Sequence, residues 1–228
     1  MYTSVHRHLG GFIFRNNTQT LTGCYVSSPG THTYWMTPQV QSSLGDIAHV
    51  QSQDINDTKG VQCINYLMSQ AFCIWDGGRL PTESEWEFVA RGRGLTAPAG
   101  GGMPRRYPWG NDPPTCNRAL TAECVGGAQP ATQNVGALAA RFVDGIADLA
   151  GNVAEYTASH FVGYDQPAYQ NRVQTDPLFL NNPIGNRIAR GGDAYDDVMH
   201  SRAASRAAFA TADFAGLGVG LRCVRSLP

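Results

Sequence analysis

Three aspartates and one histidine lie close together near the C-terminal end of the chain. Asp196, Asp197 and His200 combine two carboxylates with one imidazole, a set similar to the triads that hold iron in non-haem oxygenases. These residues are therefore candidate ligands of a non-thiol iron or copper centre in an oxidase or oxygenase. Adjacent aspartates followed by a histidine are also common in solvated loops, so the pattern leaves metal-dependent catalysis and recognition both open.

The same segment also has the composition of a recognition surface. The segment is polar and has aromatic residues at Tyr195 and Phe209, and adaptable binding surfaces commonly combine aromatic and short polar side chains. We therefore predict ligand-binding residues at Asp193, Tyr195, Asp196, Asp197, His200, Arg202, Arg206 and Phe209. The ligand itself, a small molecule or a protein partner, is not identified by this pattern.

A first helix is predicted upstream of this segment. Apolar residues between Val61 and Trp75 recur three and four positions apart, which is the spacing of an amphipathic helix. The pattern predicts a helix over 58–75, ended by Gly77 and Gly78.

A second helix follows directly. Thr82 and Glu85 have the spacing of a capping box, in which each residue satisfies a backbone N–H of the other at a helix start. The predicted helix covers 83–91. Gly92 then supplies the left-handed conformation that ends many helices.

Composition excludes several classes of protein. The chain has 228 residues with 26 Gly and 13 Pro, and only 15% of residues are charged, against an ordinary value of about 25%. This predicts one loop-rich globular domain. A net charge of −1 lacks the basic surface that nucleic acid requires. No apolar run approaches the ~20 residues of a membrane span, so we expect neither a nucleic-acid partner nor membrane insertion.

Six cysteines suggest an oxidising compartment, because none of them forms a C-x-x-C or zinc-like cluster. We predict a disulfide between Cys116 and Cys124, whose short loop would stabilise the fold by about 2.5 kcal/mol on the chain-entropy model. Cys63 and Cys73 are separated by about 15 Å if both lie on the first helix, too far to pair. We expect an extracellular or cell-surface location, although the first residues lack the apolar core of a secretory signal.

Five sequence blocks, in this order, resemble the formylglycine-generating enzyme family, also called the sulfatase-modifying factor family. They are GGRLPTESEWE from Gly77, YPWGN from Tyr107, GIADLAGNVAEYT from Gly145, RGG from Arg190 and GLRCVR from Gly220. The resemblance covers roughly 60–225. We assign 58–228 to a formylglycine-generating-enzyme-like domain and 1–57 to a poorly matched N-terminal part of the same domain.

The resemblance implies an α+β fold, the formylglycine-generating-enzyme variant of the C-type lectin-like fold. Two helices would pack on small twisted antiparallel sheets, and ordered loops would cover much of the surface. Within this fold, Arg79, Glu83, Glu85 and Trp86 would belong to the second helix and its ion pairs, away from the chemistry.

Catalytic members of the family use two cysteines after the RGG block to bind copper and activate oxygen. Counted from Gly192, these positions fall on Asp196 and on Ser201 or its neighbour. Copper(I) prefers soft thiolates, which neither a carboxylate nor a hydroxyl replaces. We therefore expect no copper and no formylglycine generation.

The GIADLAGNVAEYT block resembles the family's calcium loop. The resemblance implies oxygen ligands from the Asp148 side chain, the Gly151 and Val153 carbonyls and the Glu155 carboxylate. Calcium takes six to eight oxygens, and glycine-containing loops can turn carbonyls toward it. We predict a structural calcium ion there. The alternative is that Asp148 caps a turn and Glu155 pairs with an arginine.

The leading hypothesis is a catalytically degenerate family member whose job is binding, through loops between Ala189 and Gly218. A more specific form of it is the variable protein of a diversity-generating retroelement, because that role also uses C-terminal residues of this fold. The alternative is the oxidase or oxygenase with Asp196, Asp197 and His200 as ligands.

Overall fold

Two helices and a four-stranded sheet form the framework in the computed structural model. The structure describes residues 60–62, 64–92, 105–125, 132–137, 145–169, 175, 177–180, 185–209 and 218–225. In chain order the helices and strands are α1 (Tyr66–Trp75), α2 (Glu83–Ala90), β1 (Ala154–His160), β2 (Arg187–Arg190), β3 (Ala207–Phe209) and β4 (Val219–Leu221). Within the described residues, neither helix is long and apolar enough to cross a membrane.

Helix α1 is shorter than the apolar pattern predicts. It begins at Tyr66, not at residue 58, because Asn65 caps it. The Asn65 side chain accepts a hydrogen bond of 2.8 Å from the Met68 backbone N–H, and its own backbone is extended. An asparagine in this position satisfies the first helical donors and separates the helix from the upstream chain. The end of the helix is as predicted, with Gly77 at φ 76°.

Helix α2 confirms the capping box. Glu85 donates its backbone N–H to the Thr82 hydroxyl at 3.1 Å, and Thr82 donates its backbone N–H to the Glu85 carboxylate at 2.8 Å. The helix ends at Ala90, one residue before the predicted end, and Gly92 follows with φ 83°.

The sheet has the strand order β3-β2-β1-β4 and is mixed. β1 pairs antiparallel with β2 and β2 antiparallel with β3, as the family resemblance implies. β4 instead lies parallel to β1 on its other side, with Ala154 opposite Val219. The chain after β3 therefore crosses to the opposite edge of the sheet, and this crossing brings the C-terminal residues beside α1.

The main core lies between α1 and β1. Tyr156 is fully buried and packs edge-on against Tyr66, with ring centroids 5.8 Å apart. A disulfide joins Cys73 on α1 to Cys223, two residues after β4. Thus Cys73 pairs with a distant residue, while Cys63 lies outside the described residues. The two helices and the sheet confirm the predicted α+β, loop-rich fold.

A second disulfide confirms the predicted pair. Cys116 and Cys124 are bonded, with their Cα atoms 5.4 Å apart. Cys124 lies in the short 3-10 helix Ala122–Val125, which the disulfide ties to the preceding turn.

Gly151 is the glycine whose replacement should perturb this fold most clearly. It has φ 70°, and a Cβ there would lie 2.7 Å from the Leu120 backbone nitrogen. Gly77 has a similar φ of 76° but open space around it. Gly151→Ala should therefore destabilise the protein by more than about 2 kcal/mol, and Gly77→Ala by about 1 kcal/mol. Urea unfolding of the two variants would measure this, and equal losses would contradict the steric argument.

Candidate functional site

The loop after β2 folds back tightly because its glycines allow it. Gly192 has φ 69°, and a Cβ there would lie 2.8 Å from the His200 Cβ. The returning segment is the 3-10 helix Val198–Ser201, capped by Asp197, whose side chain accepts from the Met199 backbone N–H at 2.8 Å. The RGG block therefore positions the predicted recognition residues on one short, braced loop.

Asp193 is the internal brace of this loop. One carboxylate oxygen accepts backbone N–H groups of Tyr195 and Asp196 at 2.7 and 2.9 Å. The other oxygen lies so close to Gly218 that no side chain fits at that position. Asp193 is 7% exposed. Burial, with a contribution from the nearby Asp196 charge, raises its pKa to about 7, despite the two backbone hydrogen bonds and the nearby His200, which lower it.

This raised pKa predicts how stability changes with pH. The neutral form of Asp193 is favoured in the folded protein, so the stabilisation is complete below the unfolded pKa near 4 and is lost as the pH rises to about 7. At ~1.4 kcal/mol per pH unit, the upper bound of this loss is about 4 kcal/mol. Asp193→Asn should therefore unfold at higher urea than the parent at pH 8, with a smaller difference at pH 4. An unchanged pH dependence would contradict this, and Asp197→Asn is the exposed control.

Asp196, Asp197 and His200 lie on the outer side of the loop. Their side chains are 32%, 60% and 43% exposed. His200 Nδ1 lies 3.0 Å from an Asp197 oxygen and 4.0 Å from an Asp196 oxygen. Among the described residues, no three His, Cys, Asp or Glu side chains are grouped to hold a metal ion. The three residues are thus neighbours at the surface, but the structure does not arrange them as the predicted triad.

Arg206 lies in an interior ion network and not at the surface of the loop. Its guanidinium donates to both oxygens of Glu83, at 2.5 and 2.9 Å, and to the Val162 carbonyl. Its guanidinium carbon lies 4.7 Å from the centre of the Phe161 ring and 4.3 Å from the centre of the Tyr164 ring. With the side chain only 8% exposed, Arg206 positions the loop base and is unavailable to a ligand.

The remaining predicted residues divide by burial. Tyr195 and Arg202 are half-buried at the loop's edge. The side chain of Phe209 lies outside the described residues. Met199, which the sequence analysis did not select, is 46% exposed beside His200. An apolar residue within the otherwise polar turn could have indicated a binding residue from the sequence.

No free thiol lies among the described residues at this loop. All four described cysteines form disulfides, Cys73 with Cys223 and Cys116 with Cys124. Of the two positions that the resemblance assigns to the catalytic cysteines, Asp196 is partly exposed and Ser201 is buried at 1% exposure.

The predicted calcium ligands lie just before and at the start of β1, where Glu155 has other partners. Its carboxylate accepts from Arg222 Nε and Nη2 at 2.8 and 2.5 Å and from the Trp86 indole at 2.8 Å. Burial alone would lower the pKa of Arg222, but Glu155 and Asp148 raise it above its usual value. Arg222 therefore already supplies positive charge to both carboxylates.

Two of the other three predicted ligands also accept hydrogen bonds. Asp148 accepts the Gly136 N–H at 2.7 Å, and the Gly151 carbonyl accepts the Val153 N–H at 2.9 Å. A calcium ion needs oxygens that converge on one point. With Arg222 held against Glu155, these residues as arranged do not fit the ion. Calcium binding here stays a prediction of the family resemblance.

Calcium titration would test this site. On the geometry, adding calcium after chelation should leave Tm unchanged, because only an ion bound by the folded state raises it. A rise in Tm that Glu155→Gln removes would show that calcium binds at Glu155 and displaces Arg222 from it.

The fold and the loop define a class of protein: an α+β scaffold with a braced surface loop after an RGG turn. The chain belongs to the family described as the sulfatase-modifying factor enzyme 1-like domain, whose profile matches residues 16–227. The family match therefore extends upstream of residue 58, where the sequence analysis placed the start of the family-like part.

Among its relatives, the hercynine oxygenase of Mycolicibacterium thermoresistibile is 31% identical over 70% of this chain and 33% of that protein. The protein named inactive C-alpha-formylglycine-generating enzyme 2 of Mus musculus is 33% identical over 68% of this chain and 46% of its own length. The chain spans about a third of the hercynine oxygenases that it matches. The structure of PvdO from Pseudomonas aeruginosa shares the fold, with a TM-score of 0.57 and 23% identity, covering 75% of this chain and 63% of that one.

Proposed function

We propose that this protein binds a ligand or partner protein through the loop segment Ala189 to Gly218 and does not generate formylglycine. The observation that carries the proposal is the chemistry at Asp196 and Ser201. The resemblance places the copper thiolates at Asp196 and at Ser201 or its neighbour, and every described cysteine is in a disulfide. A carboxylate and a buried hydroxyl do not replace soft thiolate ligands for copper(I).

The loop suits recognition because exposed side chains stand on a fixed backbone. Asp197, Met199 and His200 are 60%, 46% and 43% exposed. Their backbone is held by Asp193 from within and by Glu123, which accepts the Val198 N–H at 3.0 Å. Binding residues commonly lie on loops that a rigid scaffold positions. A relative whose name describes it as inactive supports the absence of formylglycine generation.

The absence of formylglycine generation is directly testable. The protein, loaded with copper(I), would be incubated with a peptide that carries a sulfatase-type cysteine, and the peptide mass would be followed. We expect no conversion, whereas an active formylglycine-generating enzyme converts the same peptide in parallel. Turnover at a rate near that of the active enzyme would overturn this part of the proposal.

The binding role requires a second experiment. Glycan and peptide arrays would be probed with the parent protein, with Met199→Ala/His200→Ala, and with Leu67→Ala/Ile74→Ala, which alters exposed residues of α1. We expect a specific signal that the loop variant loses by tenfold or more, roughly 1.4 kcal/mol, and the α1 variant keeps. Signals unaffected by the loop variant would contradict the proposal. If the loop were instead a metal centre, the loop variant would lose bound iron or copper together with turnover.

We place the protein outside the cell or at the cell surface, since its disulfides are compatible with an oxidising compartment. Its more specific role would be that of a variable protein of a diversity-generating retroelement. The support is the position of the exposed residues in the C-terminal third of the chain. Sequencing the 3′ end of the gene in many isolates tests this. Diversity should concentrate at exposed positions such as Asp197 and Met199 and avoid Asp193 and Arg206; uniform conservation, with no neighbouring template repeat, would contradict it.

A further inference from the structure

A pocket of about 260 Å³ lies between α2 and the chain after β4. None of its lining residues belongs to the Ala189 to Gly218 segment, so it is separate from the proposed binding loop. Its walls are apolar and formed by Trp86, Phe88, Val89, Ile146, Leu149 and Val224. Phe88 is 56% exposed. The pocket is larger than the ~150 Å³ cavity that suffices for benzene and smaller than most drug-sized sites.

Three arginines lie around this apolar space. Arg79, Arg222 and Arg225 line it, against a single lining carboxylate, Glu85. Arg79 is paired with Glu85 at 2.5 Å, and Arg222 is engaged by the buried Glu155. Arg225 is paired with Asp76, which does not line the pocket, and its side chain is the most exposed of the three, at 58% against 47% for Arg79 and 30% for Arg222. An exposed guanidinium next to a hydrophobic wall favours an anion with an apolar body.

Arg225 is the guanidinium able to receive that anion. Its side chain is 58% exposed. Only its Nη2 is committed, to the Asp76 carbonyl and carboxylate, both at 2.7 Å. Its Nε and Nη1 donate to none of the described residues. Because Nη2 belongs to both bidentate edges of the guanidinium, a carboxylate would bind here through a single charge-assisted hydrogen bond from Nη1 or Nε.

We propose that this pocket binds a small molecule with an apolar body and one carboxylate, its body against Trp86 and Phe88 and its carboxylate on Arg225. The size of the pocket suits a single aromatic ring on a short chain. Trp86 reports on the occupant because its indole both lines the pocket and donates to Glu155.

The test uses 3-phenylpropionate and its neutral counterpart 3-phenylpropanamide, which share the apolar body. Each would be titrated to millimolar concentration into the full chain while the Trp86 indole N–H signal is followed by NMR. We expect a saturable shift with the carboxylate and binding at least tenfold weaker with the amide. Arg225→Gln should remove that difference, whereas Arg118→Gln, an arginine outside the pocket, should preserve it.

Three outcomes would overturn the proposal: no Trp86 shift with either compound, equal affinities, or a carboxylate preference that Arg225→Gln leaves intact. A near-native melting temperature of Arg225→Gln verifies that the variant is folded. None of these outcomes depends on the array experiment, because the array variants lie outside the pocket.

Discussion

Glu83→Gln is expected to lower the free energy of unfolding by about 3 kcal/mol or more, whereas the same replacement two residues away at Glu85 should cost less than about 1 kcal/mol. Both glutamates lie in the first turn of α2, and each binds an arginine through both oxygens. The replacement conserves size and removes one charge at each position. The two variants therefore compare a buried ion pair with an exposed one in a single helix.

The difference arises from the surroundings of each pair. The side chains of Glu83 and Arg206 are each 8% exposed, and Glu83 also lies 3.7 Å from Arg190, whose side chain is fully buried. Removing the charge of Glu83 leaves Glu87 as the described carboxylate paired with Arg190 and leaves Arg206 buried without its counter-ion. Uncompensated buried charge is the costly consequence of breaking such a pair.

Glu85 and Arg79 are by contrast 40% and 47% exposed. Water therefore hydrates the Arg79 guanidinium when the charge of Glu85 is removed. Glutamine also keeps the side-chain acceptor of the capping box. Urea unfolding of the two variants at neutral pH would give both values. Equal losses would mean that the interior network does not depend on the Glu83 charge; Glu83→Leu would then show whether an apolar residue suffices.

Removing the Cys73–Cys223 disulfide, with both cysteines replaced by alanine, is expected to destabilise the protein by up to about 5 kcal/mol. Removing the Cys116–Cys124 disulfide should cost about 2.5 kcal/mol. The sequence separations are 150 and 8 residues, and on the chain-entropy model a longer closed loop restricts the unfolded chain more. Cys73 is also fully buried in the main core, so the first variant adds a packing loss.

Guanidinium unfolding of each double variant, with the other disulfide intact, measures the two effects. The slope m should rise in the Cys73/Cys223 variant, because its unfolded chain exposes more surface. A larger loss on removal of the short loop would contradict the entropy argument. Cys73→Val/Cys223→Ala serves as the control that restores part of the buried volume in the core.

The sequence by itself determined the features that depend on neighbours along the chain. The Thr82 and Glu85 capping box requires only a spacing of three residues, so it predicted the start of α2 to the residue. Cys116 and Cys124 are separated by eight residues, so their pairing could be predicted from the short loop between them. The ordered family blocks also carried the fold, because they mark the turns and strands of one scaffold.

The tertiary structure decided every feature that joins distant residues. Six cysteines allow fifteen full pairings, and only the crossing of β4 to the edge beside β1 brings Cys223 to Cys73. The same crossing places Arg222 against Glu155. From the sequence alone, the partner of Glu155 could be either a calcium ion or an arginine.

Burial made the final distinction within the predicted site. Arg206 and His200 are both polar residues of one loop in the sequence, yet Arg206 is held inside by Glu83 and His200 faces outward. Side-chain direction at a loop follows from long-range packing, which local residue types do not encode. The separation of scaffold residues from recognition residues, and the arginine-lined pocket beside α2, therefore exist only in the folded chain.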